Sequence, residues 1–356
     1  MRNKLLKTAS YLIVAVLLLT VLTACASYDE NYQIYDIWVA GVKVTTRNAS
    51  DILGDGTVSY VGDGKSGTLT FSGANITECS YEDVDAFIVS TIDHLTINLV
   101  GENKVGMGEK APVNAISGFN ITIKGEGSLA VGARASCIKG NELTVESGRI
   151  DTYIKTAEDE IASFIGVGLW AQELLTVNGG DIEVHYAPAF TALSYGLYCV
   201  NNLTVNGGSI TIKREEASAL GIGIISSEKL TIAGGNITVY GNDDAMNAKT
   251  FAMTGGTVNA SAVDLFLAGI NPETGEFVFG SDGVCRLVNK AEFSGGSLTL
   301  VALERMNPDV PTFFSKDLTV DGMKVSGGDT PDALTEKDTS TYTYIDSCIR
   351  IEKEGD

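Results

Sequence analysis

One phrase of alternating hydrophobic and polar residues recurs along most of the chain. Aligned on its leucine or a substitute, the units begin at Leu69, Leu95, Ile121, Leu143, Leu175, Leu203, Leu230, Phe251, Ala291 and Leu318. In the clearest copy, Leu175 to His185 (LTVNGGDIEVH), Leu175 and Val177 share one face and Thr176 takes the other. Ile182 and Val184 repeat that alternation after the glycine pair. A period of two over short β-branched runs predicts strands, and the glycines predict a corner between them. A third apolar run precedes each leucine, as in GVGLWA before Leu175 and YGLYCV before Leu203.

Three short strands per turn, repeated in steps of 21 to 40 residues, predict a solenoid in which each unit contacts only its neighbours. The leucine-rich-repeat signature is missing, and a propeller blade needs four strands per unit. The expected fold is therefore all-β: a right-handed, single-stranded parallel β-helix of about ten coils with terminal caps, its hand following the preference of parallel crossovers. Residues 69–326 form the solenoid in this reading. Residues 35–68, with their Gly54-Asp55-Gly56 turn, form an N-terminal cap. Residues 327–356 form a polar tail whose apolar alternation at Tyr342–Ile345 and Cys348–Ile351 lays a closing strand on the last coil.

The first residues break the pattern. Arg2, Lys4 and Lys7 precede an apolar run from Tyr11 to Leu22, shorter than the ~20 residues a membrane span requires. Leu22-Thr23-Ala24-Cys25 follows and resembles a lipobox. Residues 1–24 are thus expected to be a secretory signal, with Cys25 as the lipidated first residue and 25–34 as a short tether. Ordinary secretion with cleavage after Ala26 is the alternative. Either route places the protein outside the cytoplasm, and the lipid would be its only membrane contact.

Composition changes the picture in three ways. Losing Arg2, Lys4 and Lys7 takes the formal net charge from −20 to −23, which argues against nucleic acid, whose phosphates need a basic face. After Cys25, the cysteines at 79, 137, 199, 285 and 348 contain no C-x-x-C pair. Buried thiols are expected rather than zinc or a disulfide framework. With only His94 and His185, in different repeats, a histidine-based metal centre or triad is not expected.

The leader from Ile37 to Tyr60 (IWVAGVKVTTRNASDILGDGTVSY) and the segment Asn242 to Ala248 (NDDAMNA) carry a family resemblance. They are similar to the leader and the D-D-G-I-N-A motif of surface carbohydrate-binding β-helix proteins of clostridia and related gut bacteria. The resemblance implies a pectate-lyase-like fold and a plant-type or acidic polysaccharide as partner, with calcium in some members. This chain departs from the motif at Ala245 and Met246, and it inserts residues from Val263 to Asn289.

Candidate sites lie where the repeat breaks or carries aromatics. Adjacent carboxylates on a tight turn suit calcium, which takes six to eight oxygen ligands. Asp243 and Asp244, joined by Asp282 of the insertion, are the expected ligand set, and a solvated acidic turn is the alternative. Trp170, Tyr186 and Tyr240 are candidate sugar-stacking residues. Tyr153, Tyr186 and Tyr240 end three equivalent strands, so they form either a ridge or a cover over the core edge. No spacing singles out an acid–base pair, so binding without catalysis is the expected activity. A lyase or glycosidase on the same scaffold and an adhesive spike without a small ligand are the alternatives.

Overall fold

A computed structural model describes residues 32–79, 86–155, 165–186, 194–213, 221–241, 244–263, 269–270, 277–278, 285–304, 312–339 and 343–355. Among them the protein is all-β, with no helix. In most repeats of the body a long strand ends in the Leu-Thr-Val segment and a short strand follows the glycine corner. Gly166–Val177 and Asp181–Tyr186 are one such pair, whereas Met246–Val263 and Cys285–Glu304 each run through the corner as one strand. The long strand pairs in parallel with the long strands one repeat before and after it, and the short strand does likewise. One repeat splits its long strand into Ser194–Cys199 and Asn202–Val205, which exposes the bend between the apolar run and Leu-Thr-Val. That repeat therefore supplies three strand segments: the apolar run, Leu-Thr-Val and the strand after the glycine corner.

The register confirms nine of the repeat positions and moves one. Leu95, Ile121, Leu143, Leu175, Leu203, Leu230, Phe251, Ala291 and Leu318 lie opposite one another in sequence. Leu69, however, lies opposite Ile97 rather than Leu95. Leu95, Ile97 and Leu99 all point inward, so a shift of two preserves the buried face and alternation alone cannot fix the register.

The core follows from this alternation. Leu143, Val145, Ile150, Leu175, Val177, Ile182, Val184 and their equivalents are buried in one continuous cluster. Burying each such side chain contributes about 1.5–3 kcal/mol. The glycine corner has a double requirement. The first glycine lets the coils touch: a Cβ on Gly207 would sit 2.7 Å from the Asn178 carbonyl oxygen. The second takes a left-handed backbone, with φ of +82° at Gly180, +83° at Gly208 and +88° at Gly235.

Both ends depart from parallel pairing, so the large sheet is mixed rather than uniformly parallel. Ile34–Val39 runs antiparallel to Ala86–Val100, and Val58–Gly62 runs antiparallel to Ser66–Ser72. At the other end Cys348–Lys353 inserts antiparallel between Cys285–Glu304 and Met323–Gly328. Thr343–Tyr344 runs antiparallel to Phe313–Ser315. Antiparallel partners satisfy the terminal strand edges that stacking leaves open.

Candidate functional site

The first face carries Ser117, Lys139, Trp170, Tyr198, Ile225 and Asn247 in one column, a residue per coil; the first four are half-exposed, and Ile225 and Asn247 are buried. Trp170 faces away from the core by ordinary alternation, between inward Leu169 and Ala171, whereas the alternation slips at Gly168. A Cβ on Gly168 would lie 3.2 Å from buried Val184, and Leu169 also packs into the core. The slip turns Val167 away from the main core, on the same side as Trp170. Val167, Tyr195, Ile222 and Ile225 form a second hydrophobic cluster, separate from the main core, with Trp170 and Tyr198 half-buried against it. Lys139 Nζ stands 4.6 Å from the Trp170 ring centroid, a cation–π contact. Tyr198 lies 6.5 Å beyond Trp170 and 5.2 Å from Tyr195. Burial pushes the Tyr198 phenol above its usual range.

The third face, after the glycine corner, carries a charged group. Arg149, Asp151 and Tyr153 lie opposite Asp181, Glu183 and His185, which lie opposite Ser209, Thr211 and Lys213. The Tyr153 and His185 rings stack at 4.6 Å and 3°. Arg149 Nε donates to Asp151 at 3.0 Å, and its Nη2 reaches Glu183 at 3.4 Å. His185 Nε2 is 3.0 Å from Glu183 Oε1, and Lys213 also donates to that oxygen. The bond from Lys213 is the main reason the Glu183 carboxyl lies below its usual range. Asp151, Glu183 and His185 place potential ligand atoms within 4.8 Å of one another. Two cations already face these carboxylates and one donor is nitrogen, so the set is an ion-pair network rather than an oxygen cage for calcium.

Of the expected sugar-stacking residues, Trp170 and Tyr240 are half-exposed, and Tyr186 is corrected. It is 5% exposed, and its hydroxyl lies 3.4 Å from the Ile222 carbonyl oxygen. Burial holds its phenol far above the usual range. The cause is parity: Tyr153 lies opposite His185, whereas Tyr186 lies opposite buried Ile154. A ridge of three stacked tyrosines is therefore absent, and Tyr186 belongs to the core.

The acidic corner is also not a solvated turn at its described member. Asp244 is 1% exposed, and its Oδ2 accepts from Asn247 Nδ2 at 2.9 Å. Its carbonyl accepts from the Gly223 N–H at 3.1 Å. These contacts hold Asp244 in the coil corner, with its Oδ2 bonded to Asn247. Cys25, Asp243 and Asp282 lie outside the described residues.

The convergence of Arg149, Asp151, Glu183 and His185 escaped sequence reasoning, although a signal was present. Asp151 and Glu183 are separated by the same interval as Leu143 and Leu175, so one repeat step superposes them.

Residues 154–264, about a third of the chain, match the model of a family described as carbohydrate-binding domain-containing protein. No curated protein and no solved structure matches the chain. The matched segment contains Trp170, His185, Tyr198, Lys213 and Tyr240. The match supports a carbohydrate-binding role, and over that segment the chain is similar to carbohydrate-binding domain-containing proteins.

Proposed function

We propose that the protein is a lipid-anchored, non-catalytic polysaccharide-binding protein whose body winds as a right-handed parallel β-helix. The single observation that carries the function is the family match over residues 154–264. The strand-for-strand parallel pairing of the body supports the winding, with the hand taken from the general crossover preference. Trp170 and Tyr198 are the proposed sugar contacts, with Lys139 beside them to meet hydroxyl or carboxylate groups. An apolar ring flanked by a polar donor is the mixture that ligand sites favour. Tyr240, half-exposed on another face, is proposed as a secondary contact.

Binding fits better than hydrolysis. A general acid needs a carboxyl raised toward working pH, whereas Glu183 is lowered by Lys213. Affinity electrophoresis of the mature protein through gels holding neutral or acidic polysaccharides tests the reading. Retardation by at least one polysaccharide, weakened in Trp170→Ala, is expected. Free migration in every gel, or release of cleaved sugar, would contradict it. Calcium enters the proposal only through Asp243, Asp244 and Asp282, and EDTA in the same gels tests that part. Anchoring at Cys25 predicts partition into a detergent phase, lost in Cys25→Ser.

A further inference from the structure

The middle face, formed by Leu-Thr-Val, carries the most regular array on the molecule. Thr68, Thr96, Thr122, Thr144, Thr176, Thr204 and Thr231 lie opposite one another through seven successive coils. All seven are half-exposed. Ala252 ends the row in the next coil. At ~4.8 Å between paired strands, the row is about 29 Å long. Beside it, Asn206 Nδ2 donates to Asn178 Oδ1 at 2.7 Å, and Asn178 Nδ2 donates to Glu146 at 3.0 Å. A second line of side chains is thereby fixed along the same axis.

Strand propensity and cross-strand packing account for a β-branched residue in this column. Partial exposure and Thr–Thr pairing favour threonine over valine or isoleucine, but neither requires the same residue through seven coils. The other outward columns are mixed, as in Lys139-Trp170-Tyr198 and Tyr153-His185-Lys213. This one stays uncharged in a chain of net charge −20. Each threonine offers a hydroxyl that both donates and accepts, beside a methyl group. Identical groups at a constant step complement a partner that repeats at a similar step and shows hydroxyls along an otherwise apolar face. An extended, neutral, β-linked glycan has both properties, with a sugar ring close in length to one coil. An ordered water lattice is the other periodic partner. Exposed Lys124, Glu142, Glu146 and Lys229 beside the row hold their own hydration and disfavour it.

We infer that the threonine row is a binding track for a neutral glycan chain lying along the axis of coil stacking, one sugar per coil. The inference rests on the carbohydrate-binding reading above and adds to it a face, a direction and a charge class. The test is calorimetric titration of the full chain with β-1,4-linked gluco- and manno-oligosaccharides from disaccharide to octasaccharide, with oligogalacturonate as the acidic comparison. Affinity is expected to climb with length across most of that series. Combined Thr144→Val, Thr176→Val and Thr204→Val should weaken octasaccharide binding roughly tenfold or more, since each lost hydrogen bond removes part of the affinity. Valine keeps the strand, so the melting temperature should hold, and serine at the same positions should retain binding. Unchanged affinity in the valine variant, or affinity that stops rising at the disaccharide, would overturn the track while leaving polysaccharide binding at Trp170 intact. Failure of the wild type to bind any glycan would instead remove the functional reading itself.

Discussion

Asn103 occupies an inward position where the following coils carry Leu129, Ile150 and Ile182. Its Oδ1 accepts from the Ala74 N–H at 2.9 Å, and its Nδ2 donates to the Ser128 carbonyl at 3.0 Å. Three coils are thus pinned by one buried amide. Asn103→Leu restores the hydrophobic column but leaves those backbone groups unpaired, at about 1–3 kcal/mol each. A lower urea midpoint is expected, and a higher one would show that packing outweighs the hydrogen bonds. Glu183 gives a pH dependence with a definite sign. Its folded carboxyl lies below the ordinary value of 4.5, so the unfolded chain takes up the proton first as pH falls. Its contribution is present above that value and is lost as pH drops through the folded one. Glu183→Gln should flatten the loss of stability below about pH 5 relative to wild type. Parallel losses in the two proteins would place the acid sensitivity elsewhere.

At the scale of strands and corners, much of the structure was legible because its requirements are local. Leu-Thr-Val, the glycine pair and Ile-x-Val each specify an inward or outward side, and nine repeat positions fell into register. The Leu69 step did not, because three alternating apolar residues from Leu95 to Leu99 offer equivalent pairings. Tyr186 was misplaced although its parity was readable: it lies four residues after Ile182, whereas Tyr153 and Tyr240 lie three after Ile150 and Ile237. Alternation opposite Leu169 already pointed Trp170 outward, whereas the slip that turns Val167 out of the main core depends on Gly168 meeting its neighbours in space, and no local rule announces it. The corners give a paired prediction. Gly322 has φ +64° and open space around an added Cβ, so Gly322→Ala should cost only the left-handed strain of about 1–2 kcal/mol. Gly208 has φ +83° and a Cβ only 2.5 Å from the Gly180 carbonyl. Gly208→Ala should therefore lower the melting temperature distinctly more, and equal shifts would mean that the coils separate freely at the corner.

Over the whole molecule, stacking converts a short repeat into columns that run through many coils. Most columns serve stability: the inward ones build the core, and Phe251, Phe293, Phe313 and Tyr344 continue it as tilted aromatic neighbours toward the C-terminal antiparallel strands. Function is proposed on the outward ones, where the surrounding fold fixes the side chains in advance and binding orders little that is not already ordered. Because each column samples one residue per repeat, its chemistry is invisible in any single copy and appears only once the register is known. The most direct measurement uses the fact that the chain has two tryptophans, Trp38 and Trp170. In Trp38→Phe, Trp170 becomes the sole indole reporter on the proposed sugar face. Titration with a polysaccharide that retards the protein should give a saturable change in its emission, abolished by competing oligosaccharide. Retardation with Trp170 emission unchanged at saturation would contradict Trp170 as a sugar contact, because the glycan would then be held away from the Trp170–Tyr198 column, on a surface such as the threonine row.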